Sequence, residues 1–475
     1  LANQVSKSRP VVVLGGGLAG LSAAWKLSEA SVPVQVFEKE DIPGGMCATI
    51  EHNGYLFDYG GHRFITKRAD IIEKIQNLMG PEFRPGVRQT QYLLWGKRLN
   101  YPLELGNLIR NVNPLISARC LIDYAWIRLR DKISSLPEDN FEAWVVKRFG
   151  RTLYEIFFGQ YTAKIWGIPP SRISRDWAAQ RISIINLGDA VKQLFFKPKE
   201  DPRTYTRTYY YCDYGIGKIA ERMVEIINRN GGKVYLNSPV KRLNMHNGRV
   251  DSVTVIQDGH EITYPCEVVL NTIPITDAVK YISPSAPDSV LESAAKLRYR
   301  AVAFMFMTLD QEKVSDNDAL YVPEPRYIFF RIEQYKYWSI KMVPSPDVTS
   351  LCLEISCFKN DEIWNTPDEI LFAKSIEGLK HAGLIEDEKV VTDYFVKRLD
   401  YVYPVFEIGY HEHAQRVRDY MDSIPNLVSY GRQGYYQYIH MHHVIAKGFQ
   451  AADHVITGSD RAEIHRVGTE EEYFG

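Results

Sequence analysis

Three glycines, Gly15, Gly17 and Gly20, stand in G-x-G-x-x-G spacing directly behind four apolar residues, Val11-Val12-Val13-Leu14. A turn of this kind suits a pyrophosphate. The first glycine permits the tight bend, the second lets backbone N–H groups approach the phosphates, and the third lets helix and strand pack closely. The run LSAAWKLSEA that follows reads as a helix, whose positive N-terminus favours phosphate charge. Val34-Gln35-Val36-Phe37 reads as a second strand, and Glu38, 18 residues past Gly20, is placed to accept hydrogen bonds from ribose hydroxyls. Strand, turn, helix, strand and acid in this order predict a dinucleotide cradle. Tyrosine is the other suggestive residue type, with 30 in the chain and clusters at 204–214 and 434–440. Its flat face and hydroxyl suit sugars and phosphates, and the same runs also read as strands with alternate faces buried. His440, His442 and His443 lie together without acidic or cysteine neighbours in sequence, so no metal centre is expected.

These groups are carried by 475 residues, enough for about three folding units. Apolar residues make up 45% and charged residues 24%, values ordinary for a globular protein that builds its cores without disulfides. The 57 basic and 58 acidic residues leave a net charge of −1, which argues against a broad nucleic-acid surface. Six scattered cysteines form no C-x-x-C pair, and reduced thiols in a cytoplasmic protein are expected. The apolar stretch 11–27 is broken by glycines and carries Trp25-Lys26, so no membrane span is expected. The first ten residues lack a signal-peptide core, and the absent initiator Met suggests trimming.

After Glu38 come Asp41-Ile42-Pro43-Gly44-Gly45-Met46 and then Phe57-Asp58-Tyr59-Gly60-Gly61-His62-Arg63-Phe64. The first glycine pair resembles the doublet of the FAD-dependent amine oxidase, phytoene desaturase and protoporphyrinogen oxidase superfamily, and the second resembles its loop passing the isoalloxazine ring. FAD is the cofactor this resemblance implies, with Gly45, Gly60 and Gly61 against it. Residues 213–240 fit a return to the same domain, where the superfamily brings the backbone around Val240 to the adenine. The last return, at 426–432, resembles the second phosphate and ribityl site and carries Gly431 and Arg432. The expected fold is α/β: a Rossmann-like FAD-binding domain with a parallel sheet, an inserted helical domain and an inserted antiparallel-sheet substrate domain. Its expected segments are 1–87, 206–288 and 416–475 for FAD, 88–205 for the helical insertion and 289–415 for the sheet insertion.

Within the first insertion, residues 141–182 resemble the sugar-binding helical domain of UDP-galactopyranose mutases, through Tyr161-Thr162-Ala163-Lys164-Ile165-Trp166-Gly167. The resemblance assigns Tyr161 and Trp166 to the nucleotide site and Arg181 to the diphosphate near the flavin. The alternative from the residues alone is that both aromatics are core and Arg181 is a surface charge. Phe330-Arg331-Ile332-Glu333 resembles the segment whose arginine clamps the diphosphate from the other side, while Tyr403 and Tyr438 match tyrosines that reach a phosphate. Guanidiniums and phenols around a diphosphate give charge-assisted, bidentate contacts. The chemistry implied is ring interconversion between pyranose and furanose, in which N5 of reduced FAD attacks the anomeric carbon and the electron count ends unchanged.

His62 is expected either to hydrogen-bond flavin or sugar or simply to pack in the glycine turn. One departure stands out: the family has Asp where this chain has His440, which puts the sugar identity in question. Expected partners are a nucleotide-sugar substrate, UDP-linked by the resemblance, a reductant such as NAD(P)H and, as one option, a second copy in a homodimer. Two other readings stand beside the mutase: an FAD-dependent oxidase or desaturase, which would share every cradle element, and a flavin-binding scaffold without catalysis.

Overall fold

A computed structural model describes residues 9–101, 113–177 and 208–468. Val11–Leu14 is apolar throughout and fully buried at the centre of a five-stranded parallel sheet. The strand order is Leu427–Ser429, Val268–Asn271, Val11–Leu14, Val34–Phe37, Lys233–Tyr235, and every pairing is parallel. Because successive side chains point to opposite faces, Val11 and Val13 enter one core while Val12 and Leu14 enter another. The first face is covered by helices Leu18–Glu29, Lys218–Arg229 and Met441–Thr457. Gly448 lets the last of these cross the first closely, since a Cβ there would strike Ser22 and the Ala19 carbonyl. On the second face lies a four-stranded sheet, His260–Pro265, Arg249–Gln257, Val240–His246 and Ile282–Ser283, with helices Asp288–Lys296 and Tyr410–Asp422. The parallel-sheet layer is therefore assembled from three separate stretches of chain.

A seven-stranded mixed sheet forms the second body. Its order is Val391–Pro404, Tyr299–Leu309, Thr349–Cys357, Arg331–Glu333, Ala319–Tyr321, Thr90–Leu94, Lys97–Asn100. Residues 301–309 and 349–357 are buried along their whole length, as their apolar composition demands. Two expectations are corrected here. Residues 90–100, assigned from sequence to the helical insertion, are a hairpin that extends this sheet. Its turn is Trp95-Gly96, both at positive φ (54° and 69°), the geometry a two-residue hairpin needs. Of the strand expected through YIFFRIE, only Arg331–Glu333 forms.

Helices Pro114–Ile133, Phe141–Phe149 and Gln160–Trp166 pack around Phe141, Trp144 and Trp166 and against Leu94 and Leu99 of the hairpin. Two begin on asparagine caps: Asn113 accepts from the Leu115 N–H at 2.9 Å and Asn140 from Ala143 at 2.8 Å. Arg181 and the rest of 178–207 lie outside the described residues. In the described part of the first tyrosine cluster, Thr208–Cys212 is a strand in which Tyr209 and Tyr211 are buried, the structural one of its two readings. All six cysteines are buried free thiols. Among the described residues no helix is long and apolar enough to cross a membrane.

Candidate functional site

A cavity of about 890 Å³ runs from the glycine turn at 15–20 to the edge of the seven-stranded sheet. Its first half fits a dinucleotide through the backbone. Gly15 sits at φ +102°, where an added Cβ would meet Thr272 Oγ1 at 2.6 Å, and a Cβ at Gly20 would strike the Gly15 carbonyl. The turn is closed by the Gly44 N–H donating to the Gly16 carbonyl at 2.8 Å, and Gly45 packs on the Gly17 Cα. Helix Leu18–Glu29 has no side-chain cap, so its N-terminal amides are left for an anion. Glu38 lines the cavity and accepts from the Gly16 and Glu40 amides at 2.6 and 3.0 Å. Burial pushes its carboxyl above the ordinary value, against those two hydrogen bonds. Val240 also lines this half. The cradle fits the dinucleotide part of FAD, with the pyrophosphate at the turn.

At the other end four guanidiniums line the wall, those of Arg63, Arg88, Arg331 and Arg432, with the phenols of Tyr321, Tyr403 and Tyr438 among them. Arg432 lies 5.0 Å from the Tyr403 ring and 4.4 Å from the Tyr438 ring. Its Nε and Nη2 are buried and meet no acceptor among the described residues. Arg88 donates to the Tyr321 hydroxyl at 3.1 Å. Burial raises that phenol, but Arg88, Arg331 and Arg63 prevail and hold it below the usual range. His62 lines the same end. Burial first, then Arg331 and Arg432, depress its imidazole to about 3, so it is neutral at physiological pH, and its buried Nδ1 lacks a partner among the described residues. A neutral imidazole with an open ring nitrogen can donate to or accept from a ligand without adding charge.

Behind this wall lies an acid cluster that the sequence did not announce. Arg331 Nη2 is 2.6 Å from Glu354 Oε1, its Nε donates to the same oxygen at 2.7 Å, and Nε is 2.9 Å from Glu333 Oε1. Arg63 donates to Asp318 at 2.6 Å. Asp318, Glu333 and Glu354 are essentially without solvent exposure. Three carboxylates against two guanidiniums leave one negative charge in excess. Glu333 is the member that takes up a proton. Neither of its oxygens accepts a hydrogen bond, and desolvation lifts its carboxyl to about 8 despite Arg331 and Arg63. Glu354 is also pushed upward by burial, opposed by its hydrogen bond from Arg331. Gly60 and Gly61 are required by this cluster: a Cβ on the first, at φ +79°, would collide with Glu354, and one on the second with Glu333. The second glycine doublet thus serves the carboxylates beneath it, with Gly61 also on the cavity wall.

Several expected residues stand elsewhere. Tyr161 lies behind Tyr321, with ring centroids 5.8 Å apart, and Trp166 lies behind Tyr403 at 5.9 Å. Trp166 is 2% exposed and packs edge-on against Trp177, in the helical core rather than on the wall. Trp166→Phe should therefore cost about 1–2 kcal/mol of stability while leaving nucleotide affinity as it was; lost affinity at unchanged stability would return this ring to the ligand. Gly20, Gly60 and Gly431 shape backbone behind the wall, Gly431 at φ +87° beside Ala19. His440 lines the cavity at the start of helix Met441–Thr457. His442 and His443 turn into the core and meet through their Nε2 atoms at 3.1 Å. Burial keeps them neutral, down to about 4 and about 2.

The profile of the family described as flavin containing amine oxidoreductase matches residues 18–456. Among curated proteins, the chain is 26% identical over 171 residues to the probable UDP-galactopyranose mutase of Klebsiella pneumoniae, 35% of this chain and 43% of that protein. It is 23% identical over 324 residues to the zeta-carotene-forming phytoene desaturase of Myxococcus xanthus, 63% of this chain and 60% of that protein. Both matches therefore span less than two thirds of the relative's length. Among solved structures, a reduced UDP-galactopyranose mutase superposes with a TM-score of 0.83 at 21% identity, over 98% of this chain and all of that one, which places the fold. The profile runs from the helix of the glycine turn to the last helix of the cavity, and on that match the chain belongs to the flavin containing amine oxidoreductases.

Proposed function

We propose that the protein is a flavin-dependent nucleotide-sugar mutase, interconverting pyranose and furanose rings with FAD in its reduced form. The observation that carries this reading is the convergence of Arg88, Arg331 and Arg432 with Tyr321, Tyr403 and Tyr438 on one end of the cavity. A diphosphate is the ligand class that such a set of forked donors and phenols matches. Arg432, beside the stacked rings of Tyr403 and Tyr438 and paired with no carboxylate among the described residues, is the donor with most to gain from an anion. The flavin, when bound and reduced, supplies the nucleophile for the anomeric carbon. The chain's own part is to anchor the leaving diphosphate, to keep the reacting carbon in place, and to present a neutral His62 that adds no charge beside it. Tyr161 and Trp166 enter this reading as supports of Tyr321 and Tyr403, and Arg181, outside the described residues, enters it through the resemblance alone as a diphosphate contact near the flavin.

An oxidoreductase of the oxidase or desaturase type is the second reading. It is favoured by the charge of Arg331, which is already answered by the buried Glu354 carboxylate. One experiment separates the two. The protein is reduced anaerobically and given UDP-hexopyranoses, and the nucleotide sugars are then resolved by chromatography. A ring isomer of unchanged mass, formed over many turnovers with the flavin still reduced, supports the mutase. No isomer from any nucleotide sugar, with oxidised flavin bleached by an amine or polyene, establishes the oxidoreductase. Arg432→Ala should weaken nucleotide-diphosphate binding roughly ten- to hundred-fold, the worth of a charge-assisted contact. If flavin is lost from that variant instead, Arg432 belongs to the cofactor.

A further inference from the structure

Among the described residues nothing covers an apolar stripe along helix Pro114–Ile133. Leu115 is 78% exposed, Ile122 70%, Trp126 58%, Leu129 51% and Ile133 77%. At 3.6 residues per turn these five side chains fall within an arc of about 60° and run the helix's length, about 30 Å. The opposite side, with Cys120 and Ile127, is buried against the helical core. The charges are sorted with equal regularity. Arg119 and Arg130 flank the stripe on one side and Lys132 on the other, with Arg128 further round past the half-exposed Leu121, and all four cations are exposed. The helix's two acids face inward: Asp123 accepts from the Thr152 N–H at 2.6 Å, and Asp131 accepts from Leu136 at 3.0 Å and pairs with Lys147 at 3.2 Å.

We propose that this helix docks in the plane of an anionic lipid surface, with the stripe among the acyl chains and the four cations against headgroup phosphates. An apolar face with a tryptophan in it and basic residues along both margins is the pattern of an interfacial helix. A second copy of the chain fits poorly, because both margins are basic and any face-to-face pairing opposes like charges. The helix is too polar overall to span, and lies on the surface instead.

The test uses the full flavin-loaded chain with phosphatidylcholine vesicles, with and without phosphatidylserine. Co-sedimentation is expected only with the anionic vesicles, weakening as salt is raised. Arg119→Gln/Arg130→Gln should weaken partitioning about thirty-fold, and Ile122→Glu/Leu129→Glu should abolish it. Both pairs lie on the exposed face, so flavin content and melting temperature should match the wild type. Absence of binding, equal binding to neutral vesicles, or binding that survives Ile122→Glu/Leu129→Glu would overturn the proposal. So would a dimer that this variant dissolves, which would assign the stripe to a second copy.

Discussion

Arg331→Ala is expected to cost about 3–5 kcal/mol of stability and, separately, to remove most of the affinity for a nucleotide diphosphate. The stability loss follows from what stands behind the cavity wall. Arg331 answers the Glu354 carboxylate and lies against the protonated Glu333, and neither side chain can reach water once it is gone. Removing one partner of a buried ion pair strands the other, whereas neutralising the whole group is often tolerated. The triple variant Arg331→Ala/Glu333→Gln/Glu354→Gln should therefore regain most of the lost stability. Its affinity for UDP-sugars should stay low, since the donor on the wall is still missing. Denaturant midpoints and calorimetric titration read the two effects independently. A single variant that unfolds like the wild type would mean that the cluster is not held as described. A triple variant that binds normally would take Arg331 off the ligand.

Glu333→Gln should change how stability depends on pH. The folded chain keeps a proton on Glu333 up to about pH 8, while an unfolded chain releases it near the ordinary glutamate value of about 4.3. Between these limits the native state binds more protons, so stability falls as pH rises, by about 1.4 kcal/mol per unit for one proton. The contribution is fully present below the lower value and gone above the upper one. An amide cannot ionise, so the variant should lose this slope and overtake the wild type in stability between about pH 7 and pH 9. On the acid side the sign reverses. His62, His442 and His443 are buried neutral, so stability falls in both proteins as pH drops below the ordinary histidine value of about 6.5. Parallel profiles on the alkaline side would place the excess proton on another member of the cluster.

The cradle was legible because its information is local. Gly15 needs its positive φ and Gly20 has no room for a Cβ against the Gly15 carbonyl five residues before it, both requirements contained in one strand-turn-helix unit, and the flanking strands are apolar enough to declare themselves buried. The acid cluster was not legible, because it depends on register. Arg331 and Glu354 are directly opposed on antiparallel strands 23 residues apart, and Glu333 shares the face of Arg331 by the two-residue period. Nothing in either segment marks that pairing. The hairpin at 90–100 was missed for a different reason. Trp95-Gly96 takes the geometry that Asn-Gly usually signals, and the strand that receives it begins at Ala319, more than two hundred residues away. Trp166 shows the limit of resemblance: a matched run can place a ring near a site without deciding whether it faces the ligand or supports the tyrosine that does.

The three-stretch origin of the parallel sheet bears on how the chain comes to be made. Val11–Leu14 needs Val268–Asn271 as its neighbour, and that strand in turn needs Leu427–Ser429. On a ribosome adding roughly 5–20 residues per second, the first strand and its glycine turn emerge roughly 20–80 s before the last strand does. Throughout that interval the face of Leu18–Glu29 destined for Met441–Thr457 has no partner. The glycine turn is thus synthesised long before the strand that completes its sheet. Between those two points a nascent chain carries an apolar helix and an open strand edge in need of protection, and cofactor capture must wait until Leu427–Ser429 and Met441–Thr457 have been made.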